Sequence, residues 1–336
     1  SRPHMHASPS RFGAELHSVL VAAVEKEGIP IATSAQVTDL YADATGRILG
    51  VRVKRPDGAV EEIGCDALIL ACNGFGGNKE MLKQYIPDAV DLFYEGHVGN
   101  QGDAIRWGEE LGASVKDIGS FQGHGAVCSP HGMHLGWATV TEGGFHVNKD
   151  GRRFSNENAG YSEQALKVHR QPGNVAWAIW DERCEKIANQ QHSHMEANES
   201  GAIKRFDAIA PMAKAIGCDP GVLEQTFAEV AAVVRGEKKD AFERNFGKKP
   251  VLQPPYYMAK IMGALTHTQG GLEIDREARV LRKDGTPFPN LFAGGGAARG
   301  LSGPADWGYL SGSGLMMATN TGRLAGEAAA ALVGKA

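Results

Sequence analysis

The sequence predicts an α/β protein: a discontinuous domain, residues 1–118 and 269–336, interrupted by an inserted α+β domain at 119–268. Three observations predict it. "ALILA", Ala67 to Ala71, is a continuous apolar run, as expected of a central parallel strand, and it leads through a glycine turn into a helix. "NLFAGGGAARG", Asn290 to Gly300, is a second apolar run that enters a cluster of glycines, which is how a strand brings bare backbone close to a phosphate or a flat ring. Between the two, periodicity weakens and His, Gly and aromatic residues accumulate, over a stretch too long for a structureless connection. A cleft between two such domains is the default ligand site.

The elements follow in order. Residues 11–27, "RFGAELHSVLVAAVEKE", place Leu16, Val19, Leu20, Ala23 and Val24 at helical spacing, and Gly28 ends the helix. "IPIATSAQVTDLYAD", "GRILGVRVKRPDG" and "AVEEIGCDALILACNG" alternate as strands do, with Gly46 and Asp57-Gly58 as turns. "CNGFGGNKEMLKQY" runs from a glycine turn into a helix, and "GNQGDAIRWGEELGA" is a loop feeding another. In the inserted stretch, helical patterns stand at 161–170 and 220–236, strand-like "NVAWAIWDE" lies between them, and "FGKKPVLQPPYYMAK" reads as a connection. The α/β texture returns from Thr268 and closes with a helix from Gly312 through Leu332. Gly294, Gly296 and Gly300 approximate a dinucleotide fingerprint, but too little chain follows for the unit that fingerprint opens.

Composition narrows the function classes. The net charge is −4 over 336 residues and the basic residues are dispersed, which argues against nucleic acid or an acidic membrane surface as partner. Cys65, Cys72, Cys128, Cys184 and Cys218 are odd in number and widely spaced, the pattern of reduced thiols in a cytoplasmic protein. No apolar run is long enough to span a membrane, and "SRPHMHASPSRFG" lacks the apolar centre of a signal peptide; it reads as native chain that begins in the middle of something. His131 and His134 flank Met133 without a Cys or Asp partner, so no metal is expected there. Glu142 reads as a loop charge, Glu157 as a structural hydrogen-bond acceptor, and Arg152-Arg153 as a solvated turn.

Six motifs then occur in a fixed order: "DALILACNGFGGN", "GNQGDAIRWGEELGA", "FHVNKDGRRFSNE", "LTHTQGGLEID", "NLFAGGGAARG" and "GYLSGSGLMMATNTGRLAGEAA". Together, over essentially the whole chain, they resemble the flavoprotein family of fumarate reductases, succinate dehydrogenase flavoprotein subunits and 3-ketosteroid Δ1-dehydrogenases. The resemblance implies a Rossmann-like FAD-binding domain with an inserted capping domain that contributes to the substrate site. It also implies that Val37 meets the adenine, and that Ala71, Cys72, Asn73 and Gly74 lie near the pyrophosphate and ribose. Asp103 and Thr268 approach the flavin, Gly295 and Gly296 lie along the ribitol, and Ser313, Gly314 and Leu315 present a helix N-terminus to the reduced ring. Two departures stand out. The family's opening strand, GxGxxG turn and helix are absent, which implies a fragment, a missing half supplied by another segment or chain, or a degenerate protein. Gly296 stands where relatives often carry Glu or Asn.

The resemblance also speaks to chemistry. Where fumarate reductases carry a proton-donating arginine this chain has Tyr161, and where they carry a carboxylate-binding arginine it has Tyr309. Losing both planar guanidiniums removes bidentate carboxylate recognition and argues against fumarate or succinate. Tyrosines at these places resemble the ketosteroid dehydrogenases, which implies that Tyr309 and the Ser313 N–H clamp a carbonyl, Tyr161 takes the α-proton, and the flavin takes the β-hydrogen as hydride. Tyrosine, with an ordinary pKa of about 10, needs help to act as a base at neutral pH. His267 and His124 match substrate-side histidines of the reductases and leave room for an acid-bearing substrate. The first reading is therefore an FAD enzyme acting on a CH–CH bond beside a carbonyl. The second is an FAD enzyme acting on an unsaturated organic acid, and the third a truncated remnant that binds no flavin. The substrate is a small molecule; the electron acceptor is not written in the sequence.

Overall fold

A computed structural model describes residues 13–334; the readings of residues 1–12 lie outside them. The described residues fall into two compact units, one drawn from residues 13–87, 96–121 and 267–334, the other from Asp88–Glu95 and Gln122–Thr266.

The first unit opens with α1 (Gly13–Lys26), which buries none of its residues: Leu16, Val19 and Leu20, the stripe that marks it in the sequence, are exposed. Gly28, at φ 67°, ends it. Strands β1 (Gln36–Ala42), β2 (Ile48–Lys54) and β3 (Val60–Gly64) form an antiparallel sheet in that order. The "IPIATS" segment expected to begin β1 is not strand. β4 (Leu68–Leu70) follows, then α2 (Lys79–Tyr85), whose N-cap Asn78 accepts from the Glu80 and Met81 N–H groups at 3.1 Å each. The chain next contributes β5 (Phe93–Tyr94) to the second unit before returning with α3 (Asp103–Glu110) and β6 (Val115–Lys116).

The second unit is built on a sheet whose long strand was read in part as a connection. β7 (Phe121–Cys128) leads to α4 (Ala138–Thr141), β8 (Phe145–Val147), α5 (Tyr161–His169) and β9 (Val175–Asp181). Then come α6 (Glu182–Ala188), α7 (His192–Glu199), β10 (Ile203–Phe206), α8 (Ile209–Ile216), α9 (Pro220–Val234) and the thirteen-residue β11 (Tyr256–Thr268). β11 pairs antiparallel with β10 and β9 on its two sides, β8 extends the sheet beyond β9, and β5 and β7 also pair with β11. Its parallel pairing with β5, Ala264 against Phe93 and Leu265 against Tyr94, draws Asp88–Glu95 into this unit, although the sequence assigned that segment to the other domain. Phe145, Trp180, Met212, Leu223 and Ile261 sit in the core.

The glycines that made this region look irregular serve packing. A Cβ at Gly123 would lie 2.5 Å from that of Ala165, and one at Gly125 equally close to that of Gln164, so bare backbone on β7 lets α5 lie directly on it. β7 is buried along nearly its whole length, which erases the alternation a half-buried strand shows.

Back in the first unit, β12 (Gly271–Leu272) pairs with β6, and β13 (Arg279–Leu281), β14 (Pro287–Ala293) and β4 make a three-stranded sheet in the order β13-β14-β4. β4 and β14 run parallel, Leu291 opposite Leu68. β4 is thus an edge strand among the described residues, where "ALILA" suggested a central one, and Ile69 is exposed. Buried Asn290 ties this sheet to β2. Its Oδ1 accepts from the Ile48 N–H, and its Nδ2 donates to the Ile48 and Asp66 carbonyls, all at 2.8 Å. The closing helix α10 (Ser313–Val333) packs on β14 and β4.

Candidate active site

Each unit gathers one group of the residues singled out above. In the second unit, His124 lies on β7 and Tyr161 opens α5. The Gly123 N–H, beside His124, donates to Ser162 Oγ at 2.8 Å and locks the start of α5 to β7. The His124 and Tyr161 rings stand 5.2 Å apart, and Trp137 packs edge-on to both, at 5.9 and 5.8 Å. The Ala126 N–H donates to His124 Nδ1 at 3.2 Å, so neutral His124 carries its proton on Nε2 and is a donor there. Burial, reinforced by His134 and His146, holds His124 well below the usual histidine range. His134 stacks on His124 with centroids 4.1 Å apart and pairs through Nε2 with Glu95 Oε1.

Behind this group lies a buried ionic knot. Glu157 receives the Arg153 Nε and Nη2 donors at 2.8 and 2.9 Å, Arg244 Nη1 at 2.9 Å and the His146 N–H at 3.2 Å. Arg153 also donates to Asp240 Oδ1 at 2.7 Å. Burial would raise the Glu157 carboxyl, but Arg153 and Arg244 outweigh it and bring it down to about 2. Glu157 is thus a structural acceptor, and Arg153, expected in a solvated turn, is buried because its fork has two carboxylates to meet. His146, unremarked in the sequence, has its Nδ1 facing the Gln164 amide at 3.2 Å and packs edge-on to Trp137. Ser155 donates to Gln164 Oε1 at 3.0 Å, which turns the amide NH₂ toward His146, so neutral His146 is protonated on Nε2. That Nε2 is buried with no partner, and burial pushes the imidazole down to about 4.

In the first unit, His267 and Tyr309 meet edge-on at 6.4 Å, and a Cβ on Gly314 would lie 3.2 Å from the His267 ring. The first turn of α10 therefore stands directly against His267. Burial lowers His267, while a contact with the Thr268 carbonyl opposes the fall. Ser302 Oγ donates to Gln269 Oε1 at 3.1 Å, orienting the Gln269 amide NH₂ toward His267 Nδ1 at 3.4 Å, a support the sequence did not announce. Gly312, at φ 84°, turns the chain into α10 and offers no side-chain cap. The Ser313 N–H, expected to hold a substrate carbonyl, donates instead to Leu310 O at 3.0 Å. The first intrahelical bond runs from the Met316 N–H to Gly312 O, which leaves Gly314 and Leu315 as the N–H groups of the orphan first turn. Ser313 Oγ is buried and has no protein partner.

The glycine segments meet in the same unit. Asn73 takes a left-handed conformation, φ 65°, and its Oδ1 accepts from the Gly74 N–H at 2.9 Å. The Phe75 N–H donates to Thr268 Oγ1 at 3.1 Å and the Gly295 N–H to Thr321 Oγ1 at 2.9 Å. A Cβ on Gly296 would fall 2.1 Å from Asn73 Oδ1, so Asn73 fills the space a side chain at 296 would need. Asp103 opens α3 and accepts from Arg106 at 3.3 Å; Val37 is half-buried on β1; Ala71 and Cys72 are exposed just after β4.

Comparison with known proteins agrees with this architecture. Residues 1–314 match the FAD binding domain family. The probable fumarate reductase Ifc3 of Shewanella frigidimarina (strain NCIMB 400) is 30% identical over 331 residues, 98% of this chain and 54% of that protein. The 3-oxosteroid 1-dehydrogenase of Mycobacterium tuberculosis (strain ATCC 25618 / H37Rv) is 28% identical over 333 residues, 87% of this chain and 58% of that one. Among solved structures, the open conformation of a flavocytochrome c3 fumarate reductase superposes with a TM-score of 0.77 at 29% identity, covering 98% of this chain and 57% of that one. The chain spans about half the length of the curated relatives it matches.

Proposed function

The chain belongs to the FAD binding domain family, and from that premise we propose that it is an FAD-dependent oxidoreductase acting on a CH–CH bond next to a carbonyl. The residues present suit a flavin. A buried Ser313 hydroxyl lacks a protein partner, the adjoining helix start has no side-chain cap, and Gly314 leaves bare backbone beside it. Gly314 and Leu315 N–H would hold the ring's electron-rich edge, with Asn73, Gly74 and Gly295 along the cofactor's chain. Val37, Ala71 and Cys72 would meet its adenosine end, and Asp103 and Thr268 its flavin side. FAD, when bound, supplies the hydride-accepting centre.

The chain's own side chains do the rest. Tyr309 donates to the substrate carbonyl, where negative charge grows as the α-proton leaves. Tyr161 receives that proton. The Ser313 N–H, assigned beside Tyr309, is engaged with Leu310, so the carbonyl clamp rests on the Tyr309 hydroxyl. The observation that carries the reading is the edge-on Tyr309–His267 pair against the start of α10, a phenol where an acid-binding site calls for a guanidinium. The experiment is anaerobic reduction of the flavin-loaded protein by a 3-keto steroid and, separately, by succinate-type acids. Bleaching by the ketone alone supports the reading. Bleaching by the acid alone supports a second one, an enzyme of unsaturated organic acids, for which His124 and His267, both held neutral by burial, are the favouring observation. Protein that takes up no FAD refutes both.

A further inference from the structure

The Glu95–His134 pair belongs to no role derived above. Glu95 sits just past β5, its N–H donating to Leu265 O at 3.0 Å, so the short parallel pairing with β11 fixes its backbone. Both carboxylate oxygens are engaged on different elements: Oε1 with His134 Nε2, Oε2 with the Thr266 hydroxyl at 3.0 Å. The backbone of His134 is held as firmly. Residues 126–135 form a hairpin in which the Leu135 N–H donates to Ala126 O at 2.9 Å and the Cys128 N–H to Met133 O at 2.8 Å, with His134 bridged to Val127. With main chain and ring tip both fixed, the imidazole plane of His134 has one setting. His124 lies against that plane, 28° from parallel, with the Tyr161 ring 5.2 Å from its own.

We propose that Glu95 is a positioning residue: through His134 it sets the plane on which His124 stacks, and so fixes His124 against Tyr161. The inference rests on the functional reading given above insofar as His124 and Tyr161 meet substrate. The groups that face His124 are His134, Tyr161 and, beyond Trp137, His146, with Glu95 behind the first and Glu157, Arg153 and Arg244 behind the last. Glu95 is thus the carboxylate on the His134 side, and Glu157 serves the opposite one.

The test compares Glu95→Ala with Glu95→Gln, in both turnover and histidine NMR of the imidazole C–H signals. In Glu95→Ala, kcat falls on the order of tenfold with KM and flavin absorbance unchanged, as expected of a reacting pair displaced by a fraction of an ångström. The His124 signal moves as the stack opens. Glu95→Gln, which can still accept from His134 and donate to Thr266, recovers most of both. Glu95→Ala matching the wild type in both readouts overturns the proposal. So does Glu95→Gln failing as fully as Glu95→Ala, since charge and not placement would then matter. Should Glu95→Ala fail to fold, Thr266→Val removes the second anchor alone, and an unmoved His124 signal there overturns it equally. A wild type that turns over neither ketone nor acid, with the NMR shifts as described, refutes the functional reading while supporting the role of Glu95.

Discussion

Replacing Glu157 by Gln should be among the most damaging single changes in the second unit. The carboxylate is fully buried and neutralises Arg153 and Arg244 at once. Gln keeps the shape but removes the charge and turns an amide N–H₂ toward a guanidinium, leaving Arg244 with backbone carbonyls for company. The displacement of this carboxyl from 4.5 to about 2 corresponds to about 3 kcal/mol. Stranding one partner of a buried pair costs a similar 3–5 kcal/mol, roughly. For a unit of this size that lowers the unfolding midpoint by about 10 °C, readable by circular dichroism. A second variant separates charge from shape: adding Arg244→Met to Glu157→Gln should recover part of the loss, because the uncompensated cation goes with it. A Glu157→Gln protein within about 1 kcal/mol of wild type, or a double variant worse than the sum of its parts, refutes the reasoning. Wild-type protein gives an independent check. The folded state holds its proton less tightly than the unfolded one, so this stability is whole above pH 4.5 and drains away as pH falls toward 2.

Other expectations follow from the same geometry. His146 is buried neutral, and the unfolded chain takes up its proton at about 6.5 while the folded one waits until about 4; stability should fall by about 3 kcal/mol as pH drops through that window, and denaturant titrations of His146→Leu should show a flatter acid limb. Tyr309→Phe should lower kcat/KM on the order of 100-fold with flavin content unchanged, and intact turnover would remove Tyr309 from the carbonyl. Ser313→Ala, which breaks no protein hydrogen bond, should leave the melting temperature of flavin-free protein where it was but weaken FAD binding in a fluorescence titration. Asn290→Ala, which strands the Ile48 N–H and two carbonyls, should cost about 2–3 kcal/mol in urea unfolding.

Much of the architecture could be read from the chain because its elements carry continuous or periodic apolar patterns. α9 and β9 declare themselves by their apolar patterns, and α10 by its length and the glycine before it. β7 could not, being buried on both faces and thinned by glycines that admit α5. α7 was equally silent: only His194 and Ala197 are buried, too few to make a stripe. The same division runs through the site. The family resemblance brought out His124, Tyr161, His267 and Tyr309, but nothing in sequence ties Glu95 to His134, 39 residues away, because the tie is made by a two-residue strand pairing with the far end of β11. Gly296 was read as a missing contact, and only the coordinates show Asn73 already standing in that space.

The bare stripe of α1 and the open ladder of β4 carry a practical consequence for handling this polypeptide. Leu16, Val19 and Leu20 face water on α1, and Ile69 does so on β4, an edge strand among the described residues, which makes the chain attractive to its own copies. Scattered light should rise with concentration and fall on adding a mild non-ionic surfactant. Dilution, as much as buffer or temperature, then governs whether the molecules in a cuvette are single particles.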